Sequence, residues 1–156
     1  MESPGFLKAV SIVQPWAWLV VEGEQIIAGG KTIENRTWAT TYRGPLLIHA
    51  SGRTTVDTVN RVRTFVRQTF GAREAALVPD ATDARLRFGG IIGRVELVDV
   101  LPPTSRPSNP WHMRGSYGWV FADARPVTFL PCAGALQLWG RFVEVGLGIV
   151  AQVKRP

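Results

Sequence analysis

Cysteine is nearly absent: Cys132 is the only one in 156 residues. An intramolecular disulfide and a cysteine-based zinc site are therefore excluded. Histidine is almost as scarce. His49 and His112 lie far apart in the sequence and show no metal-ligand spacing, so neither a metal nor another cofactor is expected. No run of ~18 uninterrupted apolar residues is present, so no membrane-spanning segment and no membrane partner are expected. The start, Met1-Glu2-Ser3-Pro4, has neither a basic n-region nor an apolar h-region, which predicts no secretory leader. Internal repeats and low-complexity tracts are also missing. The expectation is a soluble, cytoplasmic chain, and its length fits one domain.

What is present suits a packed domain. Hydrophobic residues make up 46% and charged residues 19%, too apolar a mixture for a disordered chain. Lys+Arg number 18 against 12 Asp+Glu, a net charge of +6. Arginine supplies 15 of the 18. Guanidinium groups pair with phosphates and stack on bases, which points toward nucleic acid. A soluble surface written in GC-rich codons explains the same excess equally well.

Residues 9–13 are β-branched and read as a strand. Residues 14–23 read as a short helix, with Pro15 at its first position and Gly23 at its stop. Gly29-Gly30 marks a turn, and residues 31–38 read as a strand beside a surface cleft. Residues 46–50 form a buried strand. Thr54 or Thr55 caps a helix that carries Val56, Val59, Val62, Val66 and Phe70 at helical spacing and ends at Gly71. Residues 72–88 read as a loop with a helical turn. Strands follow over 91–100, 117–122, 127–129 and 136–139, with a proline-rich loop over 101–110. Residues 3–5 read as a flexible start. The expected fold class is α+β, mostly β: a small antiparallel or mixed β-barrel with one or two packed helices.

The densest run of informative residues lies between 11 and 51. It holds Gln14-Pro15-Trp16-Ala17, then Gly29-Gly30-Lys31-Thr32-Ile33-Glu34-Asn35-Arg36-Thr37-Trp38, then Tyr42-Arg43-Gly44-Pro45. These blocks resemble the signature of the ASCH (activating signal cointegrator homology) domain family, a G-x-K-x-x-E-x-R run after a helix opening near Q-P-W-A. Residues 118–122, Pro126 and residues 131–139 resemble the closing strands of small bacterial and phage members. The resemblance spans residues 8–142 and leaves 143–156 as a short C-terminal extension.

That resemblance implies a PUA-like barrel with a cleft between the barrel and the helix of Gln14 and Trp16. It implies a partner among RNA, other single-stranded nucleic acid, or a modified nucleoside, because PUA, YTH and EVE domains bind RNA or modified bases. It also implies a rival activity. Some short members hydrolyse acylated cytidine, with a Lys, a Thr and a Glu, and some have been assigned ribonuclease activity. Here Glu34 stands where the hydrolase subset carries its Thr, so the same triad is not reproduced.

The residues themselves allow an independent argument. On a strand Glu34 and Arg36 share a face, and Lys31 joins them only through a bulge or a turn at Gly29-Gly30. One carboxylate between two cations would keep Lys31 charged, whereas deep burial would discharge it and make it a general base. The candidate ligand-binding set is Gln14, Trp16, Lys31, Glu34, Arg36, Trp38, Tyr42, Arg43, His49 and Ser51. Lys31 and Arg36 would meet phosphate, Glu34 an exocyclic amine, and Trp16 or Trp38 the face of a base. Lys31 and Glu34 become the catalytic pair if the protein is a hydrolase, with Thr32 or Thr37 as hydroxyl partner and Glu96 as a second acid. The rival structural reading is an ion-pair network closing the barrel. His49 lies on an apolar strand, where a satisfied core histidine is the commoner role, although alternation places it with Ser51 on one face. Arg61, Arg63 and Arg67 form a basic ridge on the second helix that suits either a phosphate backbone or plain solvent.

Overall fold

Residues 46–50 are apolar or aromatic on both faces, and all five are buried. A strand without a polar face must be covered on both sides, which places it in the middle of a sheet. In the computed structural model, which describes residues 5–154, this segment lies in the central strand of seven. The strands are β1 (Leu7–Ile12), β2 (Ile33–Arg36), β3 (Gly44–Ala50), β4 (Gly90–Leu101), β5 (Tyr117–Pro131), β6 (Trp139–Gly146) and β7 (Ile149–Gln152). Their order across the sheet is β2-β5-β4-β3-β1-β6-β7. The β1/β3 pair is parallel and every other pair is antiparallel. Far along β5, the Thr128 amide donates to the Gly148 carbonyl in the β6–β7 turn at 2.8 Å. The sheet therefore curls until two strands distant in its order meet.

Among the described residues three α-helices accompany the sheet, α1 (Trp16–Glu22), α2 (Val56–Thr69) and α3 (Ala72–Ala76), with α1 packed directly on it. Helix α1 places Ala17, Val20 and Val21 in one core with Val10, Ile48, Val95 and Trp119. Its other side, Trp18 and Leu19, joins Val62 and Val66 of α2 and Ala75 of α3 in a second core. A third core, around Ala9, Leu47, Trp139 and Phe142, fills the opposite face of the sheet. Thr55 caps α2 by accepting from the Thr58 amide at 3.1 Å.

Several expected boundaries move. Pro15 precedes α1 instead of occupying its first position. The first-turn donor on Trp18 is satisfied by Gln14 Oε1 at 2.8 Å, so Gln14 does the capping from outside the helix. Residues 117–122 and 127–129 belong to one strand, β5. Between Ala122 and Arg125 its register on β4 shifts, and Asp123 has φ 53°, the left-handed region. That bulge interrupts the alternation and disguises one long strand as two. Residues 136–138 are not strand, and β6 begins at Trp139. It continues past Phe142, and β7 pairs with it, burying Val150 against the third core. The segment after 142 thus contributes sheet. The expected flexible start at Ser3 and Pro4, and the last two residues of the expected C-terminal extension, Arg155 and Pro156, lie outside the described residues.

Candidate functional site

The parallel strands β1 and β3 end side by side, and the Ser51 amide donates to the Ile12 carbonyl at 3.0 Å. From there one chain turns into α1 and the other toward α2. The divergence opens a crevice at the carboxyl ends of the two strands. It forms a cavity of about 420 Å³, within the range of small-ligand sites.

Its charged floor comes from the segment before and along β2. Gly29 and Gly30 both have positive φ, 82° and 67°. A side chain on Gly30 would press on the Leu19 carbonyl and the Glu24 amide. This close turn lets the Lys31 amide donate to the Leu19 carbonyl at 3.0 Å and swings the Lys31 side chain to the Glu34 side of β2. Lys31 Nζ donates to Glu34 Oε1 at 2.8 Å and to the Ile33 carbonyl. Glu34 Oε2 lies 3.5 Å from an Arg36 guanidinium nitrogen. Arg36 donates from the same nitrogen to the Ser11 carbonyl at 2.5 Å, while its Nε is buried without a hydrogen-bond partner. The three charges therefore form a chain, Lys31–Glu34–Arg36. Burial pushes the Lys31 ammonium below its ordinary range, against the opposing pull of Glu34.

The walls are aromatic. Trp16 lies 5.4 Å from Lys31 Nζ, measured to its ring centroid, and meets Phe65 of α2 edge-on at 5.7 Å. Phe65 in turn lies 5.7 Å from Trp111, which packs at 4.8 Å on Phe70. Asn35 pins the Trp111 loop twice: Nδ2 donates to the Trp111 carbonyl and Oδ1 accepts from the Met113 amide, at 2.8 and 2.7 Å. His112 is buried beneath this loop, its Nε2 2.7 Å from the Ser116 carbonyl.

Among the described residues, no three His, Cys, Asp or Glu side chains gather into a metal-binding group. The family profile of the ASCH domain matches residues 10–129. The chain belongs to the ASCH domain family. No curated protein matches the chain.

This ASCH domain brings together Trp16, Lys31, Glu34, Arg36 and Ser51 of the ten candidate residues. The other five stand elsewhere. Gln14 is fully buried and bridges the Trp18 amide to the Arg87 carbonyl. Trp38 packs edge-on against Trp119 at 4.6 Å, beside an adjoining cavity. The Tyr42 hydroxyl donates to the Pro45 carbonyl, and Arg43 binds the carbonyls of Thr40 and Tyr42. His49 is buried, with Nε2 on the Cys132 carbonyl at 2.9 Å and Nδ1 on Ser11 Oγ at 3.1 Å. Glu96, suggested as a second acid, sits on β4 near Arg94 and away from the cavity. On α2, Arg61 is paired with Asp57 and Arg63 with Asp80, which spends much of the basic ridge.

Phe65, Trp111, Met113 and Asn35 also line the cavity and were not among the candidates. Trp111 carried a usable signal. A tryptophan in a proline-rich loop has a large apolar surface to bury, and only 4% of it stays exposed.

Proposed function

We propose that this ASCH domain binds single-stranded RNA or a modified nucleotide by taking one base into the cavity between α1, β2 and the Trp111 loop. The observation that carries the reading is aromatic walls facing a chain of three charges. Trp16, half-buried at the cavity, offers stacking surface to a flat ring, and the buried Trp111 backs the wall beside it. Glu34 Oε2 has only a loose contact with Arg36 and retains capacity to accept from an exocyclic amine. Arg36 keeps part of its guanidinium exposed at the cavity, where it can meet a phosphate or a base carbonyl. The ring selects planar ligands, and the charges select their edge.

The test is equilibrium binding of a mixed-sequence single-stranded RNA at low salt. Stacking is worth about 1–3 kcal/mol per base, so Trp16→Ala is expected to weaken binding by roughly 5- to 150-fold. Unchanged affinity in a folded Trp16→Ala protein would contradict the reading.

One observation favours a second reading, hydrolysis of an acylated nucleoside. Lys31 is pushed toward its neutral form by burial, and a neutral amine can take a proton from an attacking water. Incubation with acylated cytidine decides it: deacylated product that vanishes in Lys31→Met supports a hydrolase, and no product with excess protein removes it.

A further inference from the structure

The base cavity is open at one end. Ser11, Arg36 and Ser51 line it, and the same three residues line a second cavity of about 460 Å³ that continues past Trp38 to the loop before β6. They form a rim shared by two compartments. Arg36 is anchored there by its bond to the Ser11 carbonyl, with part of its guanidinium still exposed to both compartments.

The far side of the second compartment is formed by Leu136 and Gln137. Leu136 is 90% exposed, an apolar side chain at a cavity mouth with nothing packed over it. Gln137 has φ 61°, a left-handed conformation that disfavours a residue with a side chain and is retained at functional loops. Opposite them, Trp38 is half-buried and braced by Trp119. A lone nucleoside would use the first cavity and leave Trp38 and Leu136 unoccupied.

We infer that the ligand is a strand, held over two successive nucleotides: one base in the first cavity, the next between Trp38 and Leu136, and the joining phosphate at Arg36 and Ser51. This rests on the base-cavity reading above. Its chemistry is that of single-stranded nucleic acid, with an aromatic and an aliphatic side chain for the second base and a guanidinium for the phosphodiester.

The experiment is a comparison of ligand lengths at low salt. The four ribonucleoside 5′-monophosphates are titrated beside the homodinucleotides of the same bases, with the deoxy-dinucleotides as the arm that separates RNA from DNA. The expected result is that the best dinucleotide binds at least about tenfold tighter than the best mononucleotide, within the range of one added stacked base. In Leu136→Asp, which alters an exposed loop side chain, the ratio of the two affinities should fall to within about twofold of one. Trp38→Ala should do the same where the protein remains folded. Equal affinities for both lengths in the unaltered protein would overturn the two-nucleotide inference alone. So would a ratio that survives Leu136→Asp. Binding of neither length would instead overturn the base-cavity reading beneath it.

Discussion

Lys31 is the residue on which stability and function compete. Its ammonium is buried against one carboxylate, and Glu34 has only Arg36 as a further charged partner. Removing the lysine alone strands Glu34. Lys31→Met is therefore expected to destabilise the fold by about 3 kcal/mol in urea unfolding, and Lys31→Met with Glu34→Met should recover most of that loss. The pH dependence follows from the direction of the shift. Lys31 titrates below its ordinary 10.5 in the folded protein, so between that lowered value and 10.5 the unfolded chain binds more protons. Stability contributed by Lys31 then rises with pH across that window. The stability difference between the unaltered protein and Lys31→Met should grow from pH 7 to pH 10, and a decline would contradict the shift. At this scale the sequence was readable where a residue's role depends on near neighbours. Lys31, Glu34 and Arg36 lie within six positions, and the Gly29-Gly30 turn that unites them has a local signature. For His49 the commoner role, a satisfied core histidine, was readable, but its partners, Ser11 and the Cys132 carbonyl, were not, because they come from distant parts of the chain.

Among the elements, β2 is short and lies at the edge of the sheet, yet it organises the site in two directions. Its Glu34 and Arg36 supply charge, while Asn35 holds the Trp111 loop through both ends of its amide. Asn35→Ala removes both bonds. Amide exchange over residues 111–116 should accelerate at least about tenfold, with α2 unaffected, because each lost hydrogen bond is worth about 1 kcal/mol. RNA affinity should fall with it, since Trp111 is one wall of the cavity. Element boundaries were legible for β3 and α2, where burial on both faces and a capped helical period speak clearly. They were hidden in β5, where the bulge at Asp123 reverses the alternation, and at 136–138, where an apolar run forms a loop. Gly134 shows why that loop is close to the sheet: an added Cβ would lie 2.7 Å from His49 Cε1 and 2.8 Å from Ser11 Oγ. Gly134→Ala should displace the loop and weaken dinucleotide binding more than mononucleotide binding, read by the same titrations.

For the whole molecule, the sheet is completed by strands beyond the matched family region. β6 and β7 follow residue 129 and close the third core over Ala9 and Leu47. Val150→Ala should destabilise by about 2 kcal/mol although it lies far from the cavity, and it should leave Trp16 and Lys31 chemistry untouched. The charge of +6 has a narrower meaning than composition implied. Arg61, Arg63, Arg85 and Arg94 meet their carboxylates away from the cavity, whereas Arg36 meets Glu34 on its wall. Among the described residues, no helix is long and apolar enough to cross a membrane. The central claim is that a base enters the cavity against Trp16, beside the Trp111 loop, and the six tryptophans of the chain provide the probe. Indole N–H resonances followed by two-dimensional NMR during titration with a six-nucleotide single-stranded RNA test it directly. The account predicts that Trp16 and Trp111 shift, that Trp38 moves with them, and that Trp18, packed in the second core, stays in place. Shifts centred on Trp18, with Trp16 and Trp111 unmoved, would contradict it.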